Sequence, residues 1–236
     1  LTTIAAYANG SSVWMAADGI SIDANYRRWP EPHKIARLPV LTPENGRDGR
    51  HAEALVGMGG SIALIALVQH ELQMPNAPED DNTRDLYRWA HHVAERITEL
   101  AIELKPPITD SDGNIDGQGI LGFAGRLWSL TEHSATPLPS AWAIGTGGEF
   151  ALGALHAHAG TKPDDPETIL RAALQAAIAH DAGSGEPIAW QRVDSPYPDS
   201  KRSTADDVTM PIPKGVIPKA DRIISVPNRV YTPETL

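Results

Sequence analysis

The first seventeen residues leave this chain little freedom. Leu1-Thr2-Thr3-Ile4-Ala5-Ala6-Tyr7 is an apolar run headed by two threonines, and Val13 to Ala17 is a second apolar run. Between them stands Ala8-Asn9-Gly10-Ser11, and Asn-Gly is the strongest short-range signal for a hairpin turn. The return strand ends in Asp18-Gly19. A strand that begins at residue 2 has its terminus tied into a sheet, where most chain ends fray. That draws attention to Thr2. With Leu1 removed, Thr2 would carry a hydroxyl nucleophile and a free α-amine, whose ordinary pKa of about 8 suits a general base.

Composition narrows the classes of partner. The 236 residues suffice for one large domain or two small ones, and 41% apolar with 21% charged residues predicts a packed core. A formal net charge of -10, with short basic clusters only at Arg27-Arg28 and Lys201-Arg202, speaks against nucleic acid, which needs a basic stripe. The chain has no cysteine, which removes disulfides, thiolate catalysis and cysteine-type zinc sites together. The apolar stretch after Ser61 is broken at Gln69 and His70, too short and too polar to span a bilayer. No signal peptide precedes the first strand, so the expectation is a cytoplasmic protein without membrane contact.

Taken in order, residues 20–50 are polar and proline-punctuated, with one apolar stretch, Ile35 to Val40, behind Lys34. Residues 42–50 read as an exposed loop. Ala54 to Gly60 is a buried strand ending in glycines, and Ser61 caps a helix from Ile62 to about Leu72 whose near-continuous apolar positions predict burial on most sides. A second helix starts at Asn82 or Thr83 and runs to about Lys105, with Leu86, Trp89, Ala90, Val93, Ile97 and Leu100 along one stripe. Strands are expected over Ile120 to Phe123, Arg126 to Leu130 and Ala141 to Ile144. Helices are expected from Glu149 to about His158 and, capped by Asp165, from Pro166 to about His180. Ile188 to Val193 gives a late strand. From Asp194 to Leu236 prolines at 196, 198, 211, 213, 218, 227 and 233 leave only short extended pieces, which predicts an arm rather than a domain.

Other groupings carry less chemistry. Asp110 to Asp116 imitates a calcium loop, but its sixth position is Ile115 and no glutamate closes it, so it reads as an acidic turn. His91 and His92 are adjacent on a helix, and His156 and His158 are two apart; neither pair shares a helix face, so no metal is expected. Trp14, Trp89, Trp142 and Trp190 read as core or interface aromatics. Strand pairs and paired helices alternate in blocks, which points to an α+β layered sandwich and away from a parallel βαβ fold.

The ordered set Thr2-Thr3-Ile4, Ala17-Asp18-Gly19, Lys34-Ile35-Ala36-Arg37, Gly57-Met58-Gly59-Gly60, Ile144-Gly145-Thr146-Gly147-Gly148 and Asp181-x-x-Ser184-Gly185 resembles the N-terminal-nucleophile hydrolases of the proteasome β-subunit type, and most closely their HslV-like peptidase branch. The resemblance covers about residues 2–193. Asp18 and Lys34 stand sixteen and thirty-two residues beyond Thr2, the offsets that family uses. It implies a four-layer αββα sandwich with two central antiparallel sheets, residues 1–193 forming that domain and 194–236 an inter-subunit arm.

The resemblance also implies roles. Thr2 would attack a peptide carbonyl, with its own amine as base; Lys34 would lower the pKa of that amine, and Asp18 would hold Lys34. Gly60 matches the residue whose N–H holds the oxyanion. Asp181 and Ser184 match the pair that supports the threonine, and Thr146 stands where the family usually has serine, keeping a hydroxyl. Met58 resembles the floor of the pocket for the residue before the cut, which favours large apolar side chains. No cofactor is implied. The expected partners are a polypeptide substrate, further copies of the chain in a ring or stacked double ring, and an ATP-dependent unfoldase. The opposing expectation is a silent shell subunit in which Leu1 stays in place and blocks the threonine.

Overall fold

The alternation written into the first hairpin carries through to the tertiary structure. The computed structural model describes residues 2–22, 27–30, 33–43, 51–109, 114–115, 117–159 and 165–197. Strand β1 (Thr3–Ala8) pairs antiparallel with β2 (Ser12–Ala17), Tyr7 opposite Trp14, across a turn in which Gly10 takes a φ of 82°. In β1, Ile4, Ala6 and Ala8 face one side and Ala5 and Tyr7 the other. Both sides are buried, so this is a central pair with a core on each face.

Three further strand groups complete the sheets. A short ribbon joins β3 (Ile20–Ile22) to β4 (Arg28–Pro30). β5 (Ile35–Leu41) and β6 (His51–Gly60) lead by way of helices α1 (Ile62–His70) and α2 (Thr83–Glu103) to β7 (Gly117–Phe123), β8 (Arg126–Thr131) and β9 (Ser134–Pro137). Then follow β10 (Ala141–Gly145), α3 (Gly148–Ala159), α4 (Pro166–His180) and β11 (Ala189–Asp194). One sheet has the order β10-β1-β2-β11 and the other β5-β6-β7-β8-β9, with antiparallel neighbours throughout.

Three apolar clusters define four layers. Ile4, Ala6, Val13, Met15, Leu55, Ile120 and Leu127 fill the space between the two sheets. Ala5, Ala16 and Ala143 meet α3 and α4 through Ala151, Leu155, Leu170 and Leu174, and alanines on the strand side let the helices lie close. Val56, Leu121 and Trp128 meet α1 and α2 through Leu64, Leu86, Trp89 and Val93. This is the αββα sandwich that the sequence implied.

Differences from the sequence reading are local. Ser61 caps α1 as expected, accepting from Ala63 N–H, but α1 buries only Leu64, Ile65, Leu67 and Val68, and Ile62 is 50% exposed. A short helix can cover one sheet on one side only, however apolar its sequence. Asp165 occupies the N-cap of α4 without a side-chain cap bond, and Pro166 opens the helix behind it. The strand boundary expected at Val193 falls one residue later, and Tyr197 beyond it is buried, its hydroxyl donating to Pro78 O at 2.7 Å. Residues 198–236 of the expected arm, Leu1, most of the 42–50 loop and most of the acidic turn at 110–116 lie outside the described residues.

Candidate functional site

Strand alternation decides which way the first two described residues point. Thr2 precedes β1 and continues the side of Ile4, toward the second sheet: a Cβ placed on Gly59 of β6 would lie 3.5 Å from Thr2 Cγ2 and 3.6 Å from its Cβ. Thr3 points the opposite way, toward the helix layer. The end of β1 is held on its other edge by Thr146 N–H, which donates to Thr2 O at 2.9 Å. A side chain at Gly145, with a φ of 92°, would collide with that same carbonyl at 1.8 Å, so this close crossing requires glycine.

On one flank lies a buried ion pair. Asp18 follows β2 and Lys34 precedes β5; Lys34 Nζ donates to Asp18 Oδ1 at 2.7 Å, and neither side chain has any exposure. Burial of both charges is tolerable only with further hydrogen bonds, and these are present. Thr3 N–H donates to Asp18 Oδ1 at 2.7 Å, Gly185 N–H to Oδ2 at 3.2 Å and Ile20 N–H to Oδ2 at 3.3 Å. Lys34 Nζ also donates to Ile20 O. The backbone of Lys34 is fixed in turn by Met58 N–H, which donates to Lys34 O at 3.0 Å. Asp18 therefore lies directly against the peptide that joins Thr2 to Thr3.

On the other flank is a hydroxyl network. Ser184 Oγ donates to Asp181 Oδ2 at 2.7 Å, Thr146 Oγ1 to the same oxygen at 2.8 Å, and Gly183 N–H to Oδ1 at 3.1 Å. Partial burial pushes the Asp181 carboxyl up, but these three donors outweigh it and hold the group below its ordinary value. Ser184 Oγ also lies 2.6 Å from Thr3 Oγ1, which accepts from Gly147 N–H at 3.1 Å.

Thus the structure gathers Thr2, Asp18, Lys34, Thr146, Asp181 and Ser184 at one end of β1. Gly60 is the last residue of β6, exposed, with a φ of 125°, immediately before the cap of α1. Met58 is 3% exposed and packs into the core beside α2; a Cβ on Gly119 would meet its sulfur at 2.5 Å. Sequence reasoning assigned no role to Thr3 or Gly147, although both lie inside the network. Period-two alternation was the available signal, since it sends the residue after Thr2 to the opposite face. Among the described residues no group of three or more ligand-type side chains could hold a metal, and no helix is long and apolar enough to cross a membrane.

No model of a protein family matches this sequence, and no curated protein matches it. Solved structures do match. BPH of Thiobacillus denitrificans, in complex with epoxomicin, aligns over 81% of this chain and 98% of its own at 15% identity and a TM-score of 0.59. HslV from Trypanosoma brucei aligns over 81% and 99% at 20% identity and a TM-score of 0.52. The Gly-1 mutant of Anbu from Hyphomicrobium sp. strain MC1 aligns over 81% and 82% at 15% identity and a TM-score of 0.57. At such identities the likeness speaks for the fold. The chain has the fold of the HslV-type N-terminal-nucleophile hydrolases.

Proposed function

We propose that this chain is a threonine-type peptidase whose nucleophile is Thr2 Oγ1, in the manner of the proteasome β and HslV hydrolases. The observation that carries the reading is the fully buried Lys34–Asp18 pair set against the Thr2–Thr3 peptide. A stable core does not need such a pair, because apolar residues of similar size serve stability equally well. Next to a terminal threonine it has a use. Once cleavage before Thr2 frees its amine, the cationic Lys34 disfavours protonation of that amine, leaving it able to accept the hydroxyl proton. Thr2 Oγ1 then bonds to the substrate carbonyl carbon, and the developing oxyanion is met by Gly60 N–H. The C–N bond breaks, the amine returns its proton to the leaving nitrogen, and an ester on Thr2 remains. Water, deprotonated by the same amine, cleaves that ester and restores the hydroxyl.

The test is intact mass after incubation with a β-lactone or with epoxomicin, the compound held by the BPH structure. One adduct on Thr2 in protein that N-terminal sequencing shows to begin at Thr2 is the expected result. No adduct on such protein would end the proposal. Retention of Leu1 without an adduct would favour the silent-subunit reading instead. For specificity, Met58 supports an apolar floor and a preference for large apolar residues before the cut; cleavage confined to peptides with acidic or basic residues there would contradict it. Assembly into a ring is supported by the exposed apolar side chains of Ile62, Trp29, Phe150 and Trp190, and a monomer by light scattering would exclude it; a cytoplasmic location and an ATP-driven unfoldase as partner belong to the same proposal.

A further inference from the structure

Thr3 is fully buried, and all its polar groups are engaged. Its N–H donates to Asp18 Oδ1 at 2.7 Å and its carbonyl accepts from Asp18 N–H at 3.0 Å. Its hydroxyl sits between Gly147 N–H, 3.1 Å away, and Ser184 Oγ, 2.6 Å away. The direction of that last bond follows from proton counting. A serine hydroxyl has one proton to give, and Ser184 gives it to Asp181 Oδ2 at 2.7 Å. Thr3 must then donate to Ser184. The carboxylate of Asp181 thereby orders a chain of donors, Thr3 to Ser184 to Asp181, while Thr3 Oγ1 keeps a lone pair for Gly147 N–H.

This arrangement bonds Thr3 directly to Asp18 on one flank and, through Ser184, to Asp181 on the other. It also fixes an orientation. Thr2 and Thr3 lie on opposite faces of the same strand end, so any rotation of that end moves both side chains together. Space on the helix side is tight: a Cβ on Gly147 would fall 2.3 Å from Thr3 Oγ1, 2.9 Å from Ser184 Oγ and 2.9 Å from Ala177 Cβ.

We propose that Thr3 is a positioning residue for the nucleophile: its hydroxyl, locked between Gly147 and Ser184, sets the rotation at which Thr2 faces Gly59. The inference rests on the reading of Thr2 as the nucleophile, and its loss acts on the chemical step rather than on ligand binding. Thr3→Val is nearly isosteric and removes only the hydroxyl; Thr3→Ser keeps the hydroxyl and removes the methyl.

The experiment measures labelling of Thr2 by epoxomicin over a range of concentrations, separating the limiting rate from the half-saturating concentration, on full-length matured protein. Since a misplacement of about 1 Å can cost about a hundredfold in rate, Thr3→Val should lower the limiting rate by at least about tenfold. Its half-saturating concentration should stay within about twofold, and Thr3→Ser should remain within about threefold of wild type in both. If Thr3→Val does not fold by circular dichroism, Thr3→Ala takes its place with the same expectation. A Thr3→Val protein that labels like wild type, or a Thr3→Ser protein that fails as badly as Thr3→Val, would overturn the role of the hydroxyl. A wild type that never labels would instead overturn the reading of Thr2, and this inference with it.

Discussion

The Lys34–Asp18 pair offers the sharpest test of the site's energetics. Both side chains are fully buried, 2.7 Å apart. At that separation, with an effective dielectric constant of about 20, the attraction is about 6 kcal/mol before the cost of removing two ions from water is subtracted. Lys34→Met deletes one charge and leaves Asp18 buried with only the N–H groups of Thr3, Ile20 and Gly185. Asp18→Asn leaves Lys34 without its carboxylate, beside an amide that must replace an acceptor taking bonds at both oxygens. Breaking a buried pair from either side costs about 3–5 kcal/mol. In the double variant Lys34→Met/Asp18→Asn no lone charge remains, so the loss should be smaller than the sum of the singles by about 2 kcal/mol or more. Urea unfolding at one fixed protein concentration, followed by tryptophan fluorescence, measures all four proteins; the fixed concentration matters because assembly also stabilises. Single losses under about 1 kcal/mol, or strict additivity in the double, would refute the claim that each buried charge is tolerated because the other is beside it.

Two further outcomes follow from other parts of the molecule. Asp181 is held below its ordinary pKa in the folded protein, so its network stabilises the fold at neutral pH and loses that contribution as pH falls below about 4 toward the folded value. The urea midpoints of wild type and Asp181→Asn should accordingly differ at pH 6 and converge in acid, and a gap that widens on acidification would contradict the sign. Tyr197 donates to Pro78 O at 2.7 Å and meets the Phe123 ring edge-on at 6.3 Å; Tyr197→Phe should cost about 1 kcal/mol and Tyr197→Ala about 3–5 kcal/mol. Equal losses in the two variants would place the whole effect in the hydroxyl.

Long periodic elements were the most legible parts of the sequence. The stripe from Leu86 to Ile97 became the buried face of α2, and Asn82 caps it by accepting from Asp85 N–H at 2.9 Å. The Asn-Gly turn gave the first hairpin with its register. Short elements were invisible: β3, β4 and β9 span three, three and four residues, too few to show a period, and β4 contains Arg28 and Pro30, neither of which signals a strand. Their existence depends on backbone pairing with neighbours already in place, which no local pattern records. The near-continuous apolar run of α1 misled for the opposite reason. A helix apolar all round does not state which face will meet the sheet, and here Ile62 is left half exposed.

The candidate site divides in the same way between local and distant information. Asp18 and Lys34 sit at strand ends, at spacings from Thr2 that the chain writes out directly. The partner of Thr3 lies 181 residues away, and nothing near Thr3 announces it. What joins them is architecture: β10 returns beside β1 with Gly145 opposite Thr3, which brings Gly147 over the Thr3 hydroxyl, and α4 ends so that Asp181 and Ser184 fall on the helix side of the same strand. Because neighbouring residues of a strand face opposite layers, one end of β1 can be gripped from the helix layer while it presents Thr2 toward the other sheet. A single threonine at this strand end could not do both. The second threonine supplies a fixed point that the first would otherwise lack, and it does so with a hydroxyl whose proton has only one place to go.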